Sequence, residues 1–316
     1  MKKLQVAVIG SGYLGRFHAQ KYANHPEVEL VAVVDTHHTR AADLAGETGT
    51  NPLTDYRDLY TKVQAASVVV PTPSHYSVAK DLLEHDIHVL LEKPMTTTIE
   101  EGNHLIALAH KHNLVLQVGH LERFNPAYLA VEKTVKDPLF IESHRLNSFQ
   151  ERGTEVDVIL DIMIHDIDII LNLVDDEVKR IHAVGIPVIS SMIDIANARL
   201  EFENGCVVNV TASRISDKSM RKIRIFQHDA YISIDFASQG VSVYKKIEED
   251  GKIPYIVSEQ LKIEPGDSLE EEIKSFLTSV KKNCTPSVPG EAGIRALKVA
   301  LEITNQLKRT TQGIVG

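Results

Sequence analysis

Apolar and polar positions follow two different rhythms along the chain, and the change falls near residue 137. Before it, short β-branched runs take turns with segments of helical spacing, the pattern of a doubly wound parallel sheet in an α/β fold. The runs predict strands over Leu4 to Ile9, Val28 to Val34, Ser67 to Pro71, His88 to Leu91 and Val115 to Val118, with a short one near Asn51. Helical spacing predicts helices over Tyr13 to Asn24, Thr39 to Gly46, Tyr56 to Lys62, Ser74 to His85 and Ile99 to His112. Beyond the change, Phe140 to Phe149, Ile181 to Ile189, Ala196 to Phe202, Cys206 to Ala212, Lys222 to Gln227, Tyr231 to Asp235, Gly240 to Lys246 and Tyr255 to Gln260 alternate with a period of two. With turns at Glu203-Asn204-Gly205 and Glu249-Asp250-Gly251, this half predicts a large, open, mostly antiparallel sheet. Two helices, Ser268 to Lys282 and Glu291 to Lys308, close the chain.

The first strand ends in Gly10-Ser11-Gly12-Tyr13-Leu14-Gly15, which opens the first helix. Strand, tight turn and helix are the context that a G-x-G-x-x-G dinucleotide fingerprint requires. Gly10 makes the turn, Gly12 lets backbone approach a pyrophosphate, and Gly15 lets helix and strand pack closely. The helix N-terminus then offers N–H groups and a positive dipole end to the phosphates. The second strand ends at Asp35, about 20 residues past the last glycine, where the fingerprint places a carboxylate on the adenosine ribose. This predicts a Rossmann domain over residues 1–122, and residues 123–316 form a second, substrate-binding and oligomerisation domain whose last helix can pack back on the first.

Ligands in such sheets sit beyond the carboxyl ends of the strands. After the third long strand come Pro71-Thr72-Pro73-Ser74-His75, a rigid turn in which Ser74 can cap the next helix and His75 can stand near the nicotinamide. After the next come Glu92-Lys93-Pro94. Opposite charges at the end of a buried strand are costly unless paired or used, and a lysine there can serve as donor or base. The loop Gly119-His120-Leu121-Glu122-Arg123-Phe124-Asn125-Pro126 is dense in polar groups and marks the seam between the domains, with His120, Arg123 and Asn125 as candidate substrate contacts. In the second domain one helix, Val156 to Asn172, is apolar except for a stripe of Asp157, Asp161, His165, Asp168 and Asn172. Asp166 alone points the other way. The stripe can be a solvated face, a metal site of Asp161, His165 and Asp168, or a catalytic face. The last is favoured: the remaining sequence supplies no obvious further ligand, and a carboxylate one turn from an imidazole orients it and raises its basicity. No metal is expected.

The 316 residues suffice for two domains, and 43% hydrophobic with 24% charged residues is an ordinary globular composition. A net charge of -9 leaves no basic footprint for nucleic acid. Cys206 and Cys284 stand too far apart in sequence for a disulfide framework or zinc ribbon, and no apolar run is long enough for a signal peptide or a membrane span. A cytoplasmic protein without membrane or nucleic-acid partners is expected, forming a homodimer or homotetramer through the open sheet.

With Glu92-Lys93-Pro94 in the first domain and Asp161-x-x-x-His165 in the second, the whole chain resembles the Gfo/Idh/MocA oxidoreductase family. The family's nicotinamide loop matches Thr72, Pro73 and His75. The glycine pair that many members carry before the aspartate helix is replaced by Val158, Ile159 and Leu160, which argues against the small-polyol branches. Gly119–Pro126 and Leu160–Asp168 look most like the UDP-N-acetylglucosamine 3-dehydrogenase branch.

The resemblance implies an enzyme that moves a hydride between nicotinamide and a hydroxyl carbon of a sugar or nucleotide sugar. NAD would be held by Gly10, Ser11, Gly12, Tyr13, Leu14, Asp35, Pro71, Thr72, Pro73, His75, Glu92 and Lys93. Asp35 favours NAD over NADP, whereas His37, His38 and Arg40 leave NADP open. Lys93, Asp161 and His165 would be catalytic, with His165 as general base, Lys93 as electrostatic partner or alternate base, and Asp161 orienting them. The same three residues, with His120, Arg123 and Asn125, would contact substrate. A reductase of another carbonyl or imine, or a non-catalytic dinucleotide sensor, are the alternatives.

Overall fold

A computed structural model describes residues 3–149, 156–249 and 253–314, with side chains as far as Arg309. Two compact units emerge: the chain up to His120 together with Leu269–Ile294, and Leu121–Ser268 together with the chain from Arg295. The division differs from a single cut at 122/123, because the penultimate helix joins the first unit.

Unit 1 alternates β1 (Leu4–Ile9), α1 (Tyr13–Asn24), β2 (Val28–Val34), α2 (His38–Thr48), β3 (Asn51–Leu53), β4 (Ala65–Val68), α3 (His75–Glu84), β5 (His88–Glu92), α4 (Ile99–His112) and β6 (Leu116–Gly119). Their order, β3-β2-β1-β4-β5-β6, is parallel throughout and reverses between β1 and β4. That reversal is the switch point at which a doubly wound sheet opens a ligand crevice. Gly10 sits there at φ +102°. A Cβ at Gly15 would lie 1.8 Å from the Gly10 carbonyl oxygen, so only glycine lets α1 pack this close to β1. Local signals set other ends: Thr98 and Glu101 form a capping box on α4, which stops at Asn113 in the left-handed region.

Two sequence expectations change. The helix expected over Tyr56–Lys62 is a single 3₁₀ turn, Tyr56–Leu59, because the Asp55 carboxylate accepts from Arg57 N at 2.9 Å and Thr61 turns the chain at φ +68°. Ser74 makes no side-chain cap; Pro71 leads instead into a 3₁₀ turn, Thr72–Ser74.

Unit 2 begins with the short α5 (Pro126–Leu129) and β7 (Phe140–Leu146). A π-helical turn, Ile159–Met163, leads into α6 (Ile164–Val174). Then follow β8 (Val178–Ile186), β9 (Ile195–Phe202), β10 (Val207–Ser213), β11 (Met220–Phe226), β12 (Ala230–Asp235), β13 (Gly240–Ile247) and β14 (Tyr255–Leu261). The eight strands run β14-β13-β12-β11-β7-β10-β9-β8, antiparallel except for β7 against β10. At the turn Glu203-Asn204-Gly205 the glycine takes φ +89° and the Asn204 side chain accepts from Cys206 N. Of the second expected turn, Asp250 and Gly251 lie outside the described residues.

The last two helices are α7 (Ser268–Lys282) and α8 (Gly290–Ile314). In unit 1, Ile273, Phe276, Leu277 and Val280 of α7 share a core with Val6, Tyr22, Val28 and Leu90. In unit 2, one sheet face is buried with α6 and with Ala296, Val299, Ala300 and Ile303 of α8. On the other face Phe140, Phe226, Tyr231 and Tyr244 stack in a row, centroids 5.5, 4.8 and 5.0 Å apart. No helix among the described residues is long and apolar enough to cross a membrane.

Candidate active site

A candidate dinucleotide cradle is built at the switch point of unit 1. Gly12 is the N-cap of α1 and places no side chain over the helix end, and a Cβ added there would meet nothing within 4 Å. Asp35 is half-buried and fixed before any ligand arrives. Its Oδ2 accepts from Ser11 N at 3.0 Å and Ser11 Oγ at 2.8 Å, and its Oδ1 from His37 N at 2.9 Å. Burial alone would raise its pKa, but these hydrogen bonds outweigh it and hold the carboxyl below its ordinary value. An open backbone cradle at a helix N-terminus beside an oriented carboxylate fits an adenine dinucleotide.

The other walls come from the ends of β4 and β5. Pro71 and Pro73 are exposed and Thr72 half-buried, as a wall at a crevice should be. His75 is buried and acts as a brace, its Nδ1 2.8 Å from the Pro94 carbonyl oxygen and its Nε2 2.9 Å from that of Val70. Burial pushes its pKa down, against the pull of the two carbonyls. It therefore ties the β4 loop to the Lys93-Pro94 turn rather than presenting a free imidazole. Lys93 is half-buried, and the Lys93–Pro94 peptide bond is cis.

Glu92 turns inward. Its Oε1 lies 3.2 Å from His18 Nε2, and its Oε2 accepts from Lys93 N at 3.2 Å. Hydrogens can be assigned along the chain behind it: Tyr22 OH donates to Ser67 Oγ at 2.8 Å, Ser67 to His18 Nδ1 at 3.1 Å, and His18 Nε2–H to Glu92. A Cβ on Gly119 would stand 3.0 Å from the Glu92 carboxylate, so glycine makes room for it. Glu92 thus anchors the lysine's backbone from inside, because an unpaired carboxylate there would be far costlier than one met by His18 and the Lys93 N–H.

In unit 2 the π turn falls on Asp161, with Ile164 N bonded to Ile159 O across the widened ring. That bulge breaks the regular helix expected from Val156 to Asn172 and divides its stripe. Asp161 and His165 are half-buried. Asp157 is buried and accepts from Ile193 N at 3.0 Å. Asp168 takes both oxygens to Arg123, at 2.7 Å from Nε and 3.0 Å from Nη2. Asn172 donates to the hydroxyl of Tyr128 and to Glu132 Oε1. Of the five, Asp157, Asp168 and Asn172 are thus bound to groups of other segments and hold the helix.

Three candidate substrate contacts are likewise committed or enclosed. Arg123 is paired with Asp168 as above. Asn125 caps α5 by accepting from Ala127 N at 3.1 Å, and its amide donates to Glu122 Oε2 and to the Phe236 carbonyl, each at 3.2 Å. His120, in unit 1, is only 1% exposed. Sequence reasoning missed their counterpart, Arg145, which is buried under the Phe236 ring and joins Glu122 Oε1 at 2.6 Å to Asp166 Oδ1 at 2.7 Å. Burial pushes the Asp166 carboxyl up even with the guanidinium beside it. The signal was present: Arg145 shares the inward parity of Ile141 and Ser143 on β7, and Asp166 opposes the helix stripe. Asp166 and Asp168, each locked by an arginine, stand one and three residues past His165 and fix the helix that carries it.

Residues 4–120 match the oxidoreductase family with an NAD-binding Rossmann fold, GFO_IDH_MocA, and residues 133–233 match the GFO/IDH/MocA C-terminal domain. Over 305 residues, 96% of this chain and 97% of the relative, the chain is 36% identical to UDP-N-acetylglucosamine 3-dehydrogenase of Acidithiobacillus ferrooxidans. A crystal structure of that dehydrogenase superposes with a TM-score of 0.92, covering 98% of this chain and 99% of that one at 35% identity. The fold also matches scyllo-inositol dehydrogenase from Lactobacillus casei, solved with NAD(H) and scyllo-inositol, with a TM-score of 0.81 at 19% identity and 98% coverage of each chain.

Arg145→Met should cost about 3–5 kcal/mol in urea unfolding, because it leaves two buried carboxylates facing each other without a cation. A loss below about 1 kcal/mol would show that Arg145 does not hold α6.

Proposed function

The chain belongs to the Gfo/Idh/MocA family of NAD-binding oxidoreductases, and from that premise we propose that it oxidises UDP-N-acetylglucosamine at C3, with NAD as hydride acceptor. The observation that carries this reading is the extent of the similarity. It runs through unit 2, where a sugar nucleotide has to be recognised, as well as through the dinucleotide unit. Dehydrogenase chemistry at a sugar or polyol hydroxyl is common to the inositol dehydrogenases that the chain also resembles.

The bound nicotinamide supplies a hydride acceptor for the substrate carbon. The protein has to take the hydroxyl proton and hold the developing alkoxide. His165 is the proton acceptor, with Asp161 orienting its imidazole. Lys93, whose backbone is anchored by Glu92, presents an ammonium to the alkoxide or takes the proton itself. Asp35, fixed by Ser11 and His37, suits the two ribose hydroxyls of NAD and repels a 2′-phosphate.

The open face of the unit 2 sheet, with its aromatic row, pairs copies of the chain into a dimer or tetramer. The two cysteines are free, which suits the cytoplasm.

The test is reduced-nicotinamide absorbance with NAD or NADP and a panel of UDP-sugars, free sugars and inositols. Turnover with UDP-N-acetylglucosamine and NAD is expected. Turnover with inositols alone would overturn the substrate, and silence throughout would favour a sensor or a carbonyl reductase. Lys93→Ala should keep dinucleotide binding while kcat falls about 10²–10⁴-fold; an unchanged kcat would remove Lys93 from the chemistry.

A further inference from the structure

Behind the Glu92-Lys93-Pro94 turn, and unused by the mechanism above, lies a second carboxyl group. Glu272 on α7 is wholly buried, and neither of its carboxylate oxygens has a hydrogen-bond partner. Atoms of His18, Glu92 and Glu272 lie within 4.8 Å of one another. The groups around Glu272 come from every neighbouring element of unit 1. His18 and Tyr22 belong to α1, Ser67 to β4, Glu92 to the end of β5 with Lys93 just after it, and Gln117 of β6 donates to the Glu272 backbone carbonyl at 3.1 Å.

Of the two carboxyl groups, Glu92 has the donors. His18 and the Lys93 backbone satisfy it as an anion, and His18 has no third nitrogen to turn toward Glu272. An ionised Glu272 would set a second negative charge beside the first in a buried pocket, with no donor on its oxygens, the arrangement in which like charges force one group to keep its proton. We propose that Glu272 is a proton-holding site: a neutral carboxylic acid at physiological pH whose O–H is shared toward Glu92, across a distance that one water can bridge. The electrostatics agree, since burial and the Glu92 charge push Glu272 well above the ordinary carboxyl value while His18 and Lys93 hold Glu92 below it. The pair thereby keeps one negative charge behind Lys93 rather than two. This consequence rests on the catalytic role given to Lys93; the proton itself does not.

The sign of the pH effect follows. A carboxyl raised in the folded state contributes its full stability below the ordinary carboxyl pKa and loses it as pH rises toward the folded value. Across that window the folding constant of the wild type should fall relative to Glu272→Gln, a neutral isostere, by about tenfold per pH unit. In infrared difference spectra the wild type should show a protonated-carboxyl C=O band that Glu272→Gln lacks, persisting above the pH range in which ordinary carboxyl groups ionise. If that variant does not fold, Glu92→Gln serves: with the neighbouring charge gone, the band should fade at lower pH. Parallel stability curves, a missing band, or a band unmoved in Glu92→Gln would overturn the proposal. So would Zn²⁺ or Mn²⁺ raising the melting temperature of the wild type alone, which would make the pocket a cation site. If Lys93 is catalytic, kcat of the wild type should also fall at alkaline pH more steeply than that of Glu272→Gln. Loss of that kinetic difference with the band intact would count against the role of Lys93 and leave the proton in place.

Discussion

A carboxylate at the inner end of a buried strand is tolerated only when donors meet its oxygens, and Glu92 concentrates that constraint. His18 from α1 and the Lys93 backbone N–H satisfy it, and Gly119 on β6 leaves it space. The donors in turn require the chain Tyr22–Ser67–His18, which spans β4 and the fingerprint helix. One buried group thus fixes the fingerprint helix, the backbone of the candidate catalytic lysine, and the spacing of β4, β5 and β6.

Unit 2 solves a similar problem by ion pairing. Its candidate base sits on an almost wholly apolar helix, which alone could rotate or slide within its core. Arg145 and Arg123 hold Asp166 and Asp168, one and three residues past His165, so that two buried pairs set the register of α6. Such pairs add little net stability compared with apolar packing, but breaking one is expensive, which is the property a positioning device needs. The π turn at Asp161 serves the same end, since a widened ring displaces the side chains before His165 from regular helical alignment.

Most of the fold was legible because it rests on local rhythm. The period of two located all eight strands of the large sheet to within a few residues, and the glycine spacing identified the β1–α1 turn, whose close contact at Gly15 needs that residue. What escaped was set by partners distant in sequence. The stripe on the Val156–Asn172 helix looked like one catalytic face, yet Asp157, Asp168 and Asn172 find Ile193 N, Arg123 and Glu132. The bonds of Arg123 to Asp168 and of Asn125 to Glu122 were also hidden, because a polar loop advertises its groups and not their partners. Glu272 could have been suspected, since it adjoins Ile273 and stands one turn before Phe276 on the buried side of α7, but its relation to Glu92 spans 180 residues.

The central claim is that a hydride leaves C3 of the sugar in UDP-N-acetylglucosamine for NAD. Substrate deuterated at C3 alone, incubated with NAD and the enzyme, tests it through the mass of the reduced dinucleotide. The account predicts a gain of one deuterium in NADH with a slowed turnover. Unlabelled NADH formed from this substrate would contradict it.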